Sequence, residues 1–384
     1  MNLEVKNIPA LAFQEYRHDA IFKAYKWDLQ AGEQSTISDS AILMEGDVAG
    51  FLAETAVRLY HETVNIENAL KDRPDLGVFI GVSEEMATTL QRCSYEPTKH
   101  TRLMRFDFHP TKTGWAVSEV NSDAIAGFAE AAILPLLAER FFCGYARYGD
   151  FGGILADSLK RQMPPGATIA YLYHTHIVED YQNLRFLGDI LERDGYKTAY
   201  LSPDNIKWKD GKPVGIDGIV RCFPAELMEH AKGLDWVNFL NSDTPSCNHP
   251  IAVLTQSKRL PLVWDKLDVG IDTWKKMLPK TTGIKRAFWD KRFILKPAFG
   301  RTGEGINIPG TISLEENRAI VADASINPNQ WVAQKMFKSR LFNNMHICIG
   351  AFVVDGMFAG FYGRASDKLR IDADASDVPV LVKK

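Results

Sequence analysis

The sequence predicts a mixed α/β protein with a substantial antiparallel sheet, and three regions of the chain carry that prediction. Between residues 47 and 70, apolar side chains recur at roughly helical spacing within a mainly helical region. Residues 168–222 hold short apolar segments on both sides of a helical segment, which is typical of a small βαβ unit. From residue 250 onwards, short apolar runs alternate with loops, which indicates strands.

Length and composition are those of an ordinary globular protein. Of the 384 residues, 46% are hydrophobic and 24% are charged, and the formal net charge is −3. No basic excess supports nucleic-acid binding, and no apolar run is long enough to span a membrane. The N-terminus lacks the pattern of a signal peptide, and the five cysteines form no CxxC pair. We therefore expect a cytoplasmic protein without a disulfide or zinc framework.

The chain divides into four predicted regions: a mainly helical region at 1–100, an acidic hairpin with helices at 101–165, a small α/β unit at 166–250 and a strand-rich region at 251–384. In the second region we expect two strands around a glycine turn at 101–123, a helix at 124–142 interrupted by Pro135, and a helix at 152–162. In the third region we expect a strand at 168–173, a helix at 179–193, and strands at 197–202 and 216–223 with a hairpin turn at 209–212 between them. In the fourth region we expect strands at 292–300, 305–308, 330–336, 346–354 and 357–364.

The most informative segment is the predicted hairpin. Arg105 and Asp107 alternate with core-facing apolar residues on its first strand, and Glu119 and Asn121 lie on the second. With a turn centred on Thr113, Asp107 lies opposite Glu119. The same register pairs Arg105 with Asn121, so all four polar side chains share one face. Facing carboxylates repel unless a cation lies beside them, and carboxylate and amide oxygens suit Mg²⁺ that carries a phosphate. The alternative is a solvated hairpin face.

A second segment combines an apolar strand that carries Lys296 with a loop of three glycines, Gly300, Gly303 and Gly305. Glycines let backbone N–H groups approach phosphate oxygens, and a lysine adds a point charge. The segment has neither the GxxxxGK[ST] pattern of a P-loop nor the GxGxxG that opens a Rossmann helix. It indicates phosphate binding, and the alternative is an ordinary turn.

Four weaker features each allow a functional and a structural interpretation. The strand that ends in Gln334 could pair its backbone with an adenine edge, or be a plain core strand. Arg364 could reach a transferring phosphoryl group, although most single arginines on loops do not. His174 and His176 could seat a metal, but we favour a strand end that lines a cleft. The basic cluster at 275–292 could be a nucleic-acid patch, but it is interleaved with Asp272 and Asp290, and we favour a solvated face near the nucleotide.

Taken together, these segments resemble the C-terminal ATP-grasp synthetase region of the glutathionylspermidine synthase family. The family pattern R-x-D…E-x-N stands on the two strands of the hairpin. The similarity continues in the same order to the end of the chain, with an N-K-x-x-L-P-x-L-W-like segment at Ser257–Trp264, the K-P-x-x-G-R-x-G loop at Lys296–Gly303, the strand ending at Gln334, a G-x-x-x-G-[IY]-R-like segment at Gly356–Arg364 and a D-x-S-x-x-x-P echo at Asp374–Pro379. In this family the ATP-grasp order is permuted, because the acidic hairpin precedes the lysines.

The resemblance implies an ATP-dependent carboxylate–amine ligase that forms an amide through an acyl phosphate. The implied ligands are ATP, two Mg²⁺ ions, a small-molecule or peptide carboxylate and an amine such as a polyamine. Residues 251–384 would bind the nucleotide and residues 166–250 the substrate. The implied roles are metal binding for Asp107, Glu119 and Asn121, phosphate contact and catalysis for Arg105, ATP binding for Lys258, Lys296, Gly300, Arg301, Gly303 and Gln334, and stabilisation of the transferring phosphoryl group for Arg364.

The chain departs from the family pattern at three places. The N-terminal amidase of the family is not expected, because only residues 1–100 precede the hairpin. After the acidic strand, the family sequence N-A-D-T-P-T is replaced by NSDAIA, in a region that contacts the peptide substrate in the family. An acidic residue is also missing after Arg364. A non-catalytic ATP-binding protein and an ATP-grasp phosphotransferase therefore remain alternatives.

Overall fold

The computed structural model describes residues 2–27, 30–31 and 34–384. Its helices, in chain order, are α1 (Ala10–Lys23), α2 (Gly46–Lys71), α3 (Pro74–Phe79), α4 (Glu84–Arg92), α5 (Phe128–Ala132), α6 (Leu134–Ala138), α7 (Phe151–Gln162), α8 (Val178–Arg193), α9 (Trp236–Asn241), α10 (Val253–Gln256), α11 (Asp272–Met277), α12 (Lys285–Trp289) and α13 (Leu314–Ile326). Over these described ranges, no helix combines the length and the apolar character needed to cross a bilayer.

The strands, in chain order, are β1 (Leu3–Asn7), β2 (Gln30–Ala31), β3 (Gln34–Ser35), β4 (Ser40–Met44), β5 (Leu103–Thr111), β6 (Gly114–Asn121), β7 (Tyr145–Ala146), β8 (Thr168–Leu172), β9 (Lys197–Leu201), β10 (Trp208–Lys209), β11 (Lys212–Pro213), β12 (Gly218–Arg221), β13 (Ser246–Cys247), β14 (Thr281–Thr282), β15 (Phe293–Pro297), β16 (Trp331–Lys335), β17 (Leu341–Phe342), β18 (Met345–Val354), β19 (Met357–Ser366), β20 (Ser376–Val378) and β21 (Val380–Lys383). The mixed α/β class with much antiparallel sheet is therefore confirmed.

The largest sheet is antiparallel and has the strand order β20-β19-β18-β5-β6, with β17 paired to β18. Met104, Phe106 and Phe108 of β5 are fully buried in the same hydrophobic cluster as the apolar face of α2. Arg105 and Asp107 of the same strand face the opposite side and line a cavity. The predicted alternation is confirmed, and it separates a core face from a polar face.

The β5–β6 hairpin confirms both predicted pairs: Arg105 lies opposite Asn121, and Asp107 lies opposite Glu119. The turn itself is tighter than predicted. Residues 112–113 form it alone, so the register beside the turn differs by one residue from the register at the two polar pairs.

A β-bulge at Ser118 absorbs that one-residue difference. Simple alternation would put Ser118 on the core face with Ala116 and Val120. The bulge turns it to the polar face instead, where its Oγ lies 3.0 Å from His109 Nε2. Without the extra residue, Asp107 would pair with Ser118, so the facing carboxylates depend on the bulge.

The predicted βαβ unit is also present. Strand β8 pairs in parallel with β9 and β12, and α8 connects β8 to β9. The turn at 209–212 forms the short hairpin β10–β11, as predicted. Just beyond the carboxyl ends of β8 and β12, His174 and Cys222 line the cavity. Ligands of α/β sheets bind at these strand ends.

The third sheet has the order β14-β16-β15; one strand predicted beside it was wrong, and one helix was missed. No strand forms at 305–308. The Oδ1 of the Asn307 side chain accepts the hydrogen bond from Leu295 N at 2.5 Å, which a backbone carbonyl would accept in a regular strand pair. Helix α13 was not predicted. It begins after Ser313, whose Oγ accepts from Glu316 N at 3.0 Å as an N-cap.

The first hundred residues are mainly helical, as predicted, but their strands were missed. Strand β4 pairs antiparallel with β1 and in parallel with β21, which lies more than 330 residues away in the chain. All five residues of β4 are buried, so it lacks the alternation that identifies a half-buried strand. The main hydrophobic cluster includes residues of all four predicted regions. The division of the chain into these regions stays a prediction.

Candidate functional site

The polar face of the largest sheet forms one wall of a cavity of about 680 Å³. The other walls come from the carboxyl ends of β8 and β12, from β15 and β16 with the glycine-rich loop, and from the segment after β19. The predicted site residues that line it are Arg105, Asp107, Glu119, Asn121, Lys296, Arg301, Gly303, Gln334 and Arg364. Lys258 and Gly300 lie behind this lining. Such a volume is within the range of small-molecule sites, roughly 300–1,000 Å³.

Asp107 is held by two neighbours on its own face. Arg105 donates from Nε to Oδ1 at 2.8 Å and from Nη2 to Oδ2 at 3.0 Å. Asn121 Nδ2 also donates to Oδ2 at 3.0 Å. Arg105 is fixed in turn by a bond from Nη1 to Ala126 O at 2.8 Å and by the Tyr362 ring, 5.0 Å away. Burial opposes the charge of Arg105, but Asp107 raises its pKa above the ordinary value, so the guanidinium stays charged.

Glu119 is surrounded by lysines. Lys258 Nζ lies 3.1 Å from Glu119 Oε2 and donates to Gly300 O, and Lys296 Nζ lies 3.4 Å from Ser118 O. Burial acts to raise the pKa of Glu119, but Lys258 and then Lys296 outweigh it and hold that pKa at about 2. Burial lowers the pKa of Lys296 to about 8, against the opposing effect of Glu119. Cations of the protein itself therefore lie beside the facing carboxylates.

The glycine-rich loop packs closely against two neighbouring segments. Arg301 Nη2 forms an ion pair with Glu226 Oε1 at 2.6 Å. Gly303 has a φ of +71°, and a Cβ there would lie 2.9 Å from Ile371 O in the segment after β19. Only glycine combines that backbone conformation with so close an approach. Arg301 therefore lines the cavity, but its guanidinium is bound to the Glu226 carboxylate. A phosphate that bound Arg301 would have to replace Glu226 as its partner.

Gln334 and Arg364 reach the cavity from different sheets. Gln334 Nε2 donates to Thr281 Oγ1 at 3.1 Å, across the β14–β16 pair. Arg364 Nη2 donates to Asp372 O at 2.6 Å. Its Nε is buried and has no hydrogen-bond partner within the described part of the chain. A buried donor without a partner costs about 1–3 kcal/mol, which a ligand oxygen could recover.

Among the titratable residues of the cavity that sequence reasoning missed are His109 and Asp180. His109 follows Asp107 by two residues and shares its face, so the same alternation could have found it. Burial lowers the pKa of His109 to about 4, which keeps it neutral at pH 7. Asp180 lies in the first turn of α8, where no motif marked it. Burial raises its pKa to about 6, against the opposing effect of Arg301.

Two further parts of the cavity lining come from outside the predicted motifs. Lys26 reaches it from the N-terminal region and pairs with Asp377 at 2.9 Å, and nothing in the local sequence indicates this. His174 and His176 line the cavity with ring centres 5.3 Å apart, as the cleft interpretation predicts. Among the residues that the structure describes, no group of three or more His, Cys, Asp or Glu side chains could hold a metal.

The candidate magnesium ligands are two carboxylates, Asp107 and Glu119, and the amide oxygen of Asn121. These are ligand types that Mg²⁺ accepts in combination with substrate phosphates. The two carboxylates face each other across the hairpin, and all three residues line the cavity. With a pKa of about 2, Glu119 is ionised at neutral pH, as a metal ligand must be. The donor set therefore fits Mg²⁺ bound together with phosphate, and Asp107 would exchange part of its contact with Arg105.

Comparisons with known proteins bear on the whole chain. The family model of the glutathionylspermidine synthase preATP-grasp family matches residues 14–383. No curated protein sequence matches the chain. Among solved structures, a glutathione synthetase-like effector from Globodera pallida in its apo form has a TM-score of 0.62 at 12% identity and covers 97% of each chain. A putative gamma-glutamylcysteine synthetase from Methylobacillus flagellatus has a TM-score of 0.46 at 12% identity, over 83% of this chain and 88% of the other. Because the family model extends over nearly the whole chain, this protein belongs to the glutathionylspermidine synthase preATP-grasp family.

Proposed function

We propose that the protein is an ATP-dependent ligase that joins a carboxylate to an amine. The observation that carries this proposal is the convergence of Arg105, Lys258 and Lys296 on the facing carboxylates Asp107 and Glu119 in a nucleotide-sized cavity. Phosphoryl transfer mainly requires positioned groups and neutralised charge, which such a set supplies. Membership of the family supports the same assignment.

ATP would lie with its base toward β16 and its phosphates toward the lysines. Gln334 lines the cavity beside the apolar side chains of Ile294 and Ile306, which suit the base. Lys296 and Lys258 offer charges for the phosphates.

Asp107, Glu119 and Asn121 would hold Mg²⁺ together with the phosphates of ATP. When bound, the ions neutralise phosphate charge and align the reacting groups. Lys258 and Lys296 keep Glu119 ionised for this role. The two N–H donors of Arg105 hold the carboxylate of Asp107 in place.

In the proposed reaction, a carboxylate oxygen of the acid bonds to the γ-phosphorus of ATP while the bond to the ADP oxygen breaks. The neutral amine then bonds to the acyl carbon while the bond from that carbon to the phosphate oxygen breaks, so that phosphate leaves and the nitrogen releases one proton to solvent. Arg364, with its unpaired Nε–H, would stabilise the charge of the transferring group. Asp180 lies on the same cavity at the substrate side and offers a carboxylate for the amine.

We assign the acid only as a small-molecule or peptide carboxylate and the amine as a polyamine or similar amine. Beside Arg105, which donates to Ala126 O, Ala124, Ile125 and Ala126 form part of the cavity wall. Their side chains are apolar and offer no hydrogen bond to a peptide substrate, which leaves glutathione only one candidate among several.

The test is ADP release by the purified protein with panels of acids and amines that include glutathione and spermidine. Asp107→Asn and Glu119→Gln should abolish substrate-stimulated ADP release, whereas Glu54→Gln, at an exposed position of α2, should not. Unchanged ADP release by either site variant would refute the metal assignment. Binding of an ATP analogue without turnover would indicate a non-catalytic protein, and ADP release without an amide by mass spectrometry would indicate a phosphotransferase.

A further inference from the structure

A second groove, of about 570 Å³, lies between the ends of α3 and α12 and the turn before β16. We call it the α12 groove. Phe79, Ile284, Trp289 and Pro328 provide its apolar surface. None of the described residues that line it also lines the first cavity. The proposed ligase reaction therefore gives it no role.

The α12 groove carries a buried positive charge. Arg259 lines it with 3% exposure, and its guanidinium donates to the carbonyl oxygens of Phe79, Pro328 and Trp331. Burial lowers the pKa of Arg259, and no carboxylate within the described residues offsets that effect. Buried charges are normally paired with an opposite charge. The groove consequently has a positive potential that an anionic ligand would neutralise.

Further cations lie in or beside the groove. Lys285 and Arg286 line the exposed rim of the groove, and Lys266 Nζ lies 4.5 Å from the centre of the Phe79 ring. Arg286 has an acidic partner, Asp290, at 3.4 Å. No acidic side chain occurs among the described residues that line the groove. The charged side chains that line the groove are therefore all positive.

Aromatic side chains at the same place are left in water. Trp289 is 87% exposed, and its neighbour Phe288 is 42% exposed. Tryptophan and arginine are enriched among the residues that carry most of the binding energy at protein interfaces. Covering such a ring removes a large apolar area from water. An exposed tryptophan beside a groove whose described lining holds cations and no carboxylate is typical of a docking surface.

We propose that the α12 groove binds an acidic peptide segment of a partner protein, with an apolar side chain against Phe79 and Trp289 and carboxylates facing Arg259 and Lys285. Charge complementarity carries this choice of occupant, since a groove with cations alone selects an anionic segment. Its apolar surface calls for an anchoring side chain as well.

The probe is a fluorescently labelled Glu-Glu-Phe-Glu-Glu peptide, titrated with the full chain and followed by fluorescence anisotropy. We expect Trp289→Ala to weaken binding by about 10-fold or more and Lys285→Gln by about 3-fold. Lys291→Gln, an exposed lysine outside the groove, should leave the affinity unchanged. Binding should also weaken at high salt, because the Debye length falls from about 10 Å at 0.1 M to about 3 Å at 1 M.

The controls separate this groove from other binding sites. Lys296→Ala, in the first cavity, should bind the peptide like the wild type, and a loss there would place the peptide in that cavity. Equal binding of Lys-Lys-Phe-Lys-Lys, or unaltered affinity in both groove variants, would overturn the proposal. Tighter binding of an oligothymidylate than of the peptide would also overturn it, because the groove would then belong to a nucleic acid. A dimer in analytical ultracentrifugation that Trp289→Ala converts to a monomer would overturn it too, because the groove would then bind a second copy of the chain.

Discussion

Replacing Lys258 by methionine removes the cation nearest to Glu119 while it keeps a side chain of similar length. The Lys258 side chain is 9% exposed and that of Glu119 is 23% exposed, so solvent screens this pair only weakly. Glu119 would remain largely enclosed, with Lys296 as its main remaining cation. We therefore expect Lys258→Met to destabilise the fold, because a largely buried charge loses its closest partner.

The magnitude follows from the pKa of Glu119. Its surroundings lower that pKa from 4.5 to about 2, and at about 1.4 kcal/mol per pH unit the ionised form is favoured by about 3 kcal/mol. Lys258 contributes the largest share and Lys296 the next. We expect a coupling free energy between Lys258 and Glu119 of about 1–2 kcal/mol, within the usual range for groups in contact.

A double-mutant cycle measures this coupling. Urea unfolding, followed by tryptophan fluorescence, is compared for the wild type, Lys258→Met, Glu119→Gln and the double variant at pH 7. Because the folded-state pKa of Glu119 is lowered, its contribution is fully present above about pH 4.5 and is lost as the pH falls toward 2. A coupling below about 0.5 kcal/mol at pH 7 would show that the two groups act independently, contrary to their 3.1 Å separation.

The remaining predictions concern three other positions. Lys296→Ala should weaken the calorimetric affinity for a Mg-ATP analogue by about 10-fold or more, and the wild-type affinity should fall as the pH rises through about 8, where Lys296 loses its charge. Equal affinities for wild type and variant would contradict the phosphate role. Gly303→Ala should lower ADP release, whereas Gly310→Ala, with a similar positive φ but open space around it, should not; equal effects would mean that strain alone is responsible. Burial lowers the pKa of His100 to about 4. The free energy of unfolding of the wild type should therefore fall between about pH 6.5 and pH 4, because the unfolded state binds the proton more tightly. His100→Asn should reduce this dependence of the unfolding free energy on pH, measured by urea titrations. An unchanged slope would contradict the burial argument.

Where the pattern was local, the sequence allowed the two strands of the β5–β6 hairpin and several residues of the cavity lining to be predicted. The alternation along β5 placed Arg105 and Asp107 on one face, because a period of two fixes which side chains share a face. The predicted pairing of Asp107 with Glu119 is confirmed only because the bulge at Ser118 offsets the tighter turn. The bulge at Ser118 was not visible in this way. It follows from the tight turn and from the packing of the whole sheet, which no short window of sequence contains.

Features that depend on distant parts of the chain could not be predicted. Strand β4 reads as an apolar run without alternation, and its partner β21 comes more than 330 residues later. Lys26 enters the cavity through a tertiary contact with Asp377 that has no local signature. The ion pair between Arg301 and Glu226 was missed for the same reason. In each case, tertiary packing rather than local propensity decides where the side chain lies.

Consecutive residues link the cavity with the α12 groove. Lys258 extends to Glu119, while Arg259 extends to the carbonyl oxygens around Phe79 and to Trp331 O, at the start of the strand that carries Gln334. A ligand that moved Arg259 would also move the backbone that positions Lys258. Thermodynamic linkage then requires reciprocity. If a ligand in the groove changes the affinity for the nucleotide by some factor, the bound nucleotide changes the affinity of the groove for that ligand by the same factor.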